Sequence, residues 1–206
     1  MFLANKELEK LKNNVFSDDV NDVIVGEVSY ELRIGNEAYL SGTNKLINVK
    51  KKGYVTIQPG MFAALVTYER VKIPTNKIGF ISLKFSLKSQ GLVNISGFHV
   101  DPGYKGRLVF TVFNISPHPI VLRYKQEAFL LFLADITSEI SYKGKPYEKI
   151  GSKIMTPLTG EQLNFVQVES KIKSIDARVN MLIGTGIALF GVLIGIIVRL
   201  LTQGHH

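Results

Sequence analysis

Residues 97–114 read GFHVDPGYKGRLVFTVFN, and the reading of this stretch decides the fold. Asp101-Pro102-Gly103-Tyr104 is a turn by its own chemistry. Proline presets φ at the second position, and glycine takes a positive φ at the third. The flanks are β-branched and aromatic with partial alternation, which predicts two strands joined by that turn. Outward from it the same grammar repeats. EVSYELRI (27–34) alternates and meets a turn signal at Gly35-Asn36. LINVKKKGYVTI (46–57), QPGMFAALVTYERVKIP (58–74), KIGFISLKFSL (77–87) and VLRYKQEAFLLFLADI (121–136) are further strand-like runs between Gly and Pro punctuation. Many short strands of this kind predict a mainly β barrel or sandwich over residues 1–140. Residues 141–158, SYKGKPYEKIGSKIMTPL, lack periodicity and are rich in Lys, Gly and Pro, so they read as a surface loop or linker.

Composition narrows the chemistry. The formal net charge is +8, with small lysine clusters at 50–52 and from 143 to 153. No basic stripe interleaved with aromatics is present, which argues against a nucleic-acid partner. The charge suits a membrane surface or an anionic small ligand better. Absence of cysteine removes disulfides, thiolate nucleophiles and Cys-ligated metals. The four histidines form no HxxxH or HxH pair inside the fold, which argues against a zinc-activated water. The N-terminal MFLANKELEKLKNN (1–14) contains acids and has no apolar core segment, so it is not a signal peptide. It reads as an amphipathic helix with Leu3, Leu8 and Leu11 inward.

From Thr159 the pattern changes. TGEQ (159–162) matches a capping box. Phe165, Val168, Ile172, Ile175 and Val179 then recur at spacings of three and four, a heptad seam that predicts a coiled-coil-like helix over 159–180. A single packed amphipathic helix is the competing reading. MLIGTGIALFGVLIGIIV (181–198) has no charge and reaches the length of a transmembrane helix, predicted over 181–202. Gly184, Ala188, Gly191 and Gly195 fall on one face of it, and small faces let helices approach closely in lipid. A C-terminal span without a signal peptide predicts a single-pass protein whose large N-terminal domain stays in the cytoplasm. Lys171, Lys173 and Arg178 on the flank agree with that orientation, and Arg199 on the other side dilutes it.

DPGYKG followed by RLVFTVFN resembles the DPG-aromatic-x-G…N signature of dCTP deaminases, in the trimeric dUTPase superfamily. FLANKELEKL is similar to that family's opening helix, and VSYELRIGN to its SxDLRLGN strand, with Glu31 where Asp is usual. IQPGMFAALVTYERVKIP, SLKFSLKSQGL and VLRYKQEAFLLFL lie in order where the family has its P-G-x-F, G-R-S-S-L-x-R-x-G-L and L-x-P-G-x-x-I-x-Q-L segments. The resemblance covers about residues 1–136. It implies a dUTPase-like β-barrel, a homotrimer, and nucleotide sites between subunits. Lys84, Ser86, Lys88, Asp101, Tyr104, Gly106 and Asn114 are the nucleotide-binding candidates it implies, with Mg²⁺ entering only as the companion of a bound nucleotide.

The resemblance breaks at the chemistry. The family's Glu, the base that activates water, is Thr111 here, and a hydroxyl with ordinary chemistry is no general base at neutral pH. R-S-S-L-x-R becomes Lys84-Phe85-Ser86-Leu87-Lys88-Ser89, which keeps positive charge but loses the bidentate fork. Tyr124-Lys125 stands for the late P-G, and Leu130 for Gln. In the dUTPase branch an Asp at the position of Asp101 activates water and an aromatic at that of Tyr104 stacks on the deoxyribose. The competing reading is an Asp that caps its turn and a Tyr that packs on it. Three functions follow as expectations. One is a non-catalytic nucleotide-binding sensor or effector coupled to a membrane helix bundle. The second is a membrane-tethered dCTP deaminase or dUTP pyrophosphatase using Asp101. The third is a trimeric membrane scaffold without ligand.

Overall fold

The structure is a computed structural model that describes residues 1–203 apart from 19, 42, 44 and 159–164, and apart from the side chains of 165–167 and 200–203. The elements run α1 (Asn5–Val15), β1 (Ile24–Val25), β2 (Tyr30–Leu40), β3 (Lys45–Asn48), α2 (Val49–Lys52), β4 (Tyr54–Ile57), β5 (Phe62–Lys72), β6 (Lys77–Leu83), α3 (Phe85–Lys88), β7 (Leu92–Asn94), β8 (His99–Val100), β9 (Lys105–Asn114), β10 (Ile120–Arg123), β11 (Glu127–Asp135), α4 (Ser152–Met155) and α5 (Phe165–Gln203). The capping-box residues 159–162 and the Phe165 side chain lie outside the described residues. Two units divide the chain, Met1–Asn164 and Phe165–His206.

The first unit is an antiparallel sheet in the order β7-β9-β5-β2-β11-β6-β8, with β1 and β3 also pairing β2, and a separate β10–β4 ribbon. The sheet is curled. β9 and β11 are separated by two strands in the ladder, yet Phe110 of β9 and Phe129 of β11 stack with ring centroids 3.8 Å apart. Only a sheet that closes over its own concave face brings them together. Strict alternation along β9 sends Gly106, Leu108, Phe110, Val112 and Asn114 inward, the period of two expected of a half-buried strand. α1 adds Leu8 to the core, and the Tyr30 hydroxyl of β2 donates to the Leu8 carbonyl at 2.5 Å.

The register breaks where β2, β5 and β9 meet, between Ile34 and Ala38 and between Val66 and Arg70. Here the expectation of a turn at Gly35-Asn36 is corrected, because β2 runs straight through. Gly35 is needed for close approach: a Cβ there would lie 2.6 Å from the Thr67 carbonyl oxygen. The buried Glu69 carboxylate accepts from Arg33 Nε at 2.6 Å and from the Arg33 amide at 2.8 Å, which ties the two irregular strands together. Burial pushes the Glu69 carboxyl up, and the Arg33 bonds oppose that.

Residues 141–158, expected as a surface loop or linker, form a strap over the sheet. The Arg107 amide donates to the Tyr147 carbonyl at 2.7 Å, and Ile150 is buried against Tyr39, Ala64 and Val66. The apolar anchors Ile150, Ile154, Met155 and Leu158 are scattered among lysines, so no periodicity announces them.

In the second unit the two segments expected over 159–180 and 181–202 are one helix, α5, of 39 residues. At 1.5 Å per residue it is about 58 Å long, longer than the hydrocarbon core of a bilayer. Val168–Arg199 is long and apolar enough to cross a membrane by length and composition. The Thr185 hydroxyl donates to the Met181 carbonyl, which satisfies the one hydroxyl in the apolar run.

Truncation of the stacked pair tests the curl. Phe110→Ala should cost about 3–5 kcal/mol of stability in urea unfolding. A cost below about 1 kcal/mol would mean that the ring is not a core contact.

Candidate functional site

The DPG turn is closed by its backbone. The Tyr104 amide donates to the Asp101 carbonyl at 3.2 Å, and Gly103 takes φ +77°. The Asp101 carboxylate therefore does not serve as the cap. It stands half-exposed, 3.4 Å from His99 Nε2. Beside it opens a cavity of about 190 Å³ lined by His99, Asp101, Tyr104, Leu108, Tyr142 and Tyr147, among others.

Tyr104 is only 5% exposed. Its hydroxyl donates to the Arg107 carbonyl at 2.5 Å and accepts from the Tyr147 amide at 3.1 Å. Its ring packs edge-on against Tyr142, with centroids 5.2 Å apart. Gly106 makes this possible, since a Cβ there would lie 2.7 Å from the Tyr147 carbonyl and 2.8 Å from Pro146. Tyr104 and Gly106 thus seat the strap, and the Tyr104 ring is not free to stack on a sugar. Burial above all pushes the Tyr104 phenol up to about 12.

Asn114 is corrected as well. Both its amide hydrogens are spent on the Ile57 and His118 carbonyls, at 2.9 and 2.8 Å, and its oxygen accepts from the Ser116 amide and hydroxyl. It knits the end of β9 to β4, and nothing remains for a ligand.

Lys84, Ser86 and Lys88 cluster at the junction of β6 with α3 and do not line the cavity. Ser86 and Lys88 are exposed, and Lys88 Nζ donates to Ser82 Oγ at 2.7 Å. Lys84 Nζ donates to Glu31 at 2.7 Å and to Glu127 at 2.8 Å. Partial burial pulls the Lys84 ammonium down, but the bonds to Glu127 and Glu31 outweigh it and hold it above its ordinary value. The carboxyl of Glu127, set beside Glu31 and hydrogen-bonded to the Lys84 ammonium, is held below the usual range. One cation between two carboxylates leaves a local sum of −1 when both are ionised. A phosphate gains little there. Among the described residues no three His, Cys, Asp or Glu groups come together to hold a metal. The Thr111 carbonyl accepts from the Ile95 amide at 2.9 Å, and its side chain brings no acid or base to the strand.

The sequence reading missed Glu127, Tyr142 and Tyr147. Glu127 faces Lys84 only through the pairing of β11 with β2 and β6, and the two tyrosines sit in the strap. Lys125, where the resemblance has glycine, takes φ 61°, the left-handed region that glycine favours. Its ammonium lies 4.3 Å from the Tyr68 ring centre.

Residues 2–135 match the dCTP deaminase-like family. The dCTP deaminase of Pyrococcus horikoshii is 35% identical over 115 residues, which cover 56% of this chain and 72% of that protein. The dCTP deaminase of Pyrobaculum aerophilum is 35% identical over 175 residues, covering 78% of this chain and 97% of that protein. Among solved structures, the 2′-deoxycytidine 5′-triphosphate deaminase from Agrobacterium tumefaciens superposes with a TM-score of 0.52 at 18% identity. That superposition covers 64% of this chain and 47% of the solved one, and it shows a shared fold.

The Tyr104 knot has a pH signature. The folded phenol is raised above its unfolded value of 10.0, so its contribution is full below pH 10 and is lost as pH rises through about 12. Tyr104→Phe should flatten this alkaline fall in urea unfolding. Tyr30, also raised by burial, keeps its share. At neutral pH the variant should cost about 1–3 kcal/mol, because the Tyr147 amide loses its acceptor. An unchanged alkaline slope would remove Tyr104 as the source.

Proposed function

The chain belongs to the dCTP deaminase-like family, and we propose that it is a membrane-anchored member that binds a nucleotide without turning it over and couples that binding to its C-terminal helix. The observation that carries this reading is Lys84. The cation at the position where the resemblance implies phosphate binding and catalysis is neutralised by Glu31 and Glu127. Thr111 in place of a carboxylate base points the same way.

The cavity beside Asp101 is smaller than the roughly 300 Å³ at which pockets for drug-sized ligands begin. A homotrimer with its nucleotide sites between subunits would complete it. The strap supplies the coupling. Tyr142 and Tyr147 wall the cavity, and the same segment leads along the chain toward α5. A ligand that favours one placement of those tyrosines biases the segment before the helix. In α5, Val168, Ile172, Ile175 and Val179 form the seam, and Gly184, Ala188, Gly191 and Gly195 the close-packing face. A Cβ added at any of those three glycines meets open space within the chain, which leaves room for a neighbouring helix. The positive flank of the span supports a cytoplasmic N-terminal domain.

A second reading, a membrane-tethered hydrolase, is favoured by one observation. The half-exposed Asp101 carboxylate beside His99 lines the cavity. Release of ammonia from dCTP and of pyrophosphate from dUTP, with Mg²⁺ present, separates the two. Wild type and Asp101→Ala should both stay at buffer background. Turnover in the wild type that disappears in Asp101→Ala would establish the hydrolase and overturn the non-catalytic reading.

A further inference from the structure

On the other side of the DPG turn lies a second groove, of about 590 Å³, between α1, the Pro74-Thr75-Asn76 turn and the ends of β5 and β9. Its polar lining is Asn14, Lys72, Thr75, Asn76, Lys77 and Lys105, and no carboxylate lines it. Lys72 and Lys105 are directly opposite each other in the β5–β9 ladder. Opposed residues of an antiparallel pair have Cβ atoms about 4.5–5.5 Å apart on one face of the sheet, and like charges there repel. Neither lysine has an ion-pair or hydrogen-bond partner among the described residues. Two exposed, unpartnered lysine side chains rooted opposite each other at the rim of a groove of ligand size can both reach one oxyanion.

The neighbouring charges do not cancel them. Lys77 is neutralised by Asp135 at 2.6 Å, while Glu139, which accepts from the Thr75 hydroxyl at 3.0 Å, brings one negative charge to the edge of the groove. The last turn of α1 brings its dipole's negative end, worth about half a charge. Against this stand the two full positive charges of Lys72 and Lys105, with the Asn14 and Asn76 amides as further donors.

We propose that this groove is an anion site, separate from the cavity at Asp101, that takes a phosphate-bearing group between Lys72 and Lys105. The group is either a soluble phosphorylated molecule or the headgroup of a phosphorylated lipid.

Titration calorimetry of pyrophosphate into the detergent-solubilised full chain, at physiological ionic strength, tests the site. Saturable binding is expected, and Lys72→Gln with Lys105→Gln should weaken it by about tenfold or more, the loss of at least one charge-assisted contact. Lys50→Gln with Lys51→Gln removes the same charge from exposed α2 and should leave binding unchanged. The melting temperature of the unliganded Lys72/Lys105 variant should equal or exceed that of wild type, because the opposed charges are gone. This separates a lost site from a lost fold. No saturable binding to wild type, or equal weakening in the α2 variant, would overturn the proposal. Nanodiscs then name the source. Weaker pyrophosphate binding in discs containing a phosphoinositide than in neutral discs supports the site with a lipid headgroup as its occupant. Equal binding in both supports it with a soluble anion.

Discussion

The hydroxyl of Tyr104 is the point on which the cavity at Asp101 depends. It ties down the start of β9 by donating to Arg107 and holds the strap by accepting from Tyr147. A buried phenol satisfied on both sides is stable, and one that loses either partner is costly. Gly106 is the steric condition for the same contact, since any side chain would stand where the Tyr147 carbonyl and Pro146 lie. From this knot the strap runs on to Ile150, whose amide donates to Glu37. The walls of the cavity at Asp101 are thus built from two distant parts of the chain.

The proposed loss of catalysis rests on electrostatics. Catalysis on a nucleotide requires free positive charge for phosphate and a carboxylate for water. Here the charges are rearranged. Lys84 is bound by two carboxylates, and the position implied for the base carries Thr111. The carboxylate that remains exposed, Asp101, stands beside His99 instead. Binding without turnover is the reading that fits all three, and the strap gives such binding something to move.

Much of the fold was legible. DPGYKG with its flanks located the turn and the two strands it joins, but not that β8 pairs β6 while β9 pairs β5 and β7, so that no hairpin forms. The ordered family segments located the curled sheet. Leu8 and Leu11 marked the inner face of α1, where Leu8 is fully buried, whereas Leu3 precedes the helix and its amide donates to the Leu133 carbonyl of β11. What failed to show was long-range. Gly35-Asn36 has the local chemistry of a turn, but β2 continues past it through an irregularity in its pairing with β5. The strap looked solvated because its anchors are single apolar residues among lysines, each specified by a groove of the sheet. The site was half legible. Asp101 and Tyr104 were found together from one motif, whereas the partners of Lys84 come from β2 and β11 and are joined to it only by strand register. Asn114 was misread because a motif residue can be kept for the turn it closes.

The central claim is binding without chemistry. It is tested most directly by melting the detergent-solubilised chain against a panel of nucleotides with Mg²⁺, while product is read in the same wells. The account predicts that one nucleotide stabilises the protein, by about 2.7 kcal/mol at a hundred times its Kd, with no product formed. Product in the stabilised wells, or a melting curve that no nucleotide moves, would contradict it.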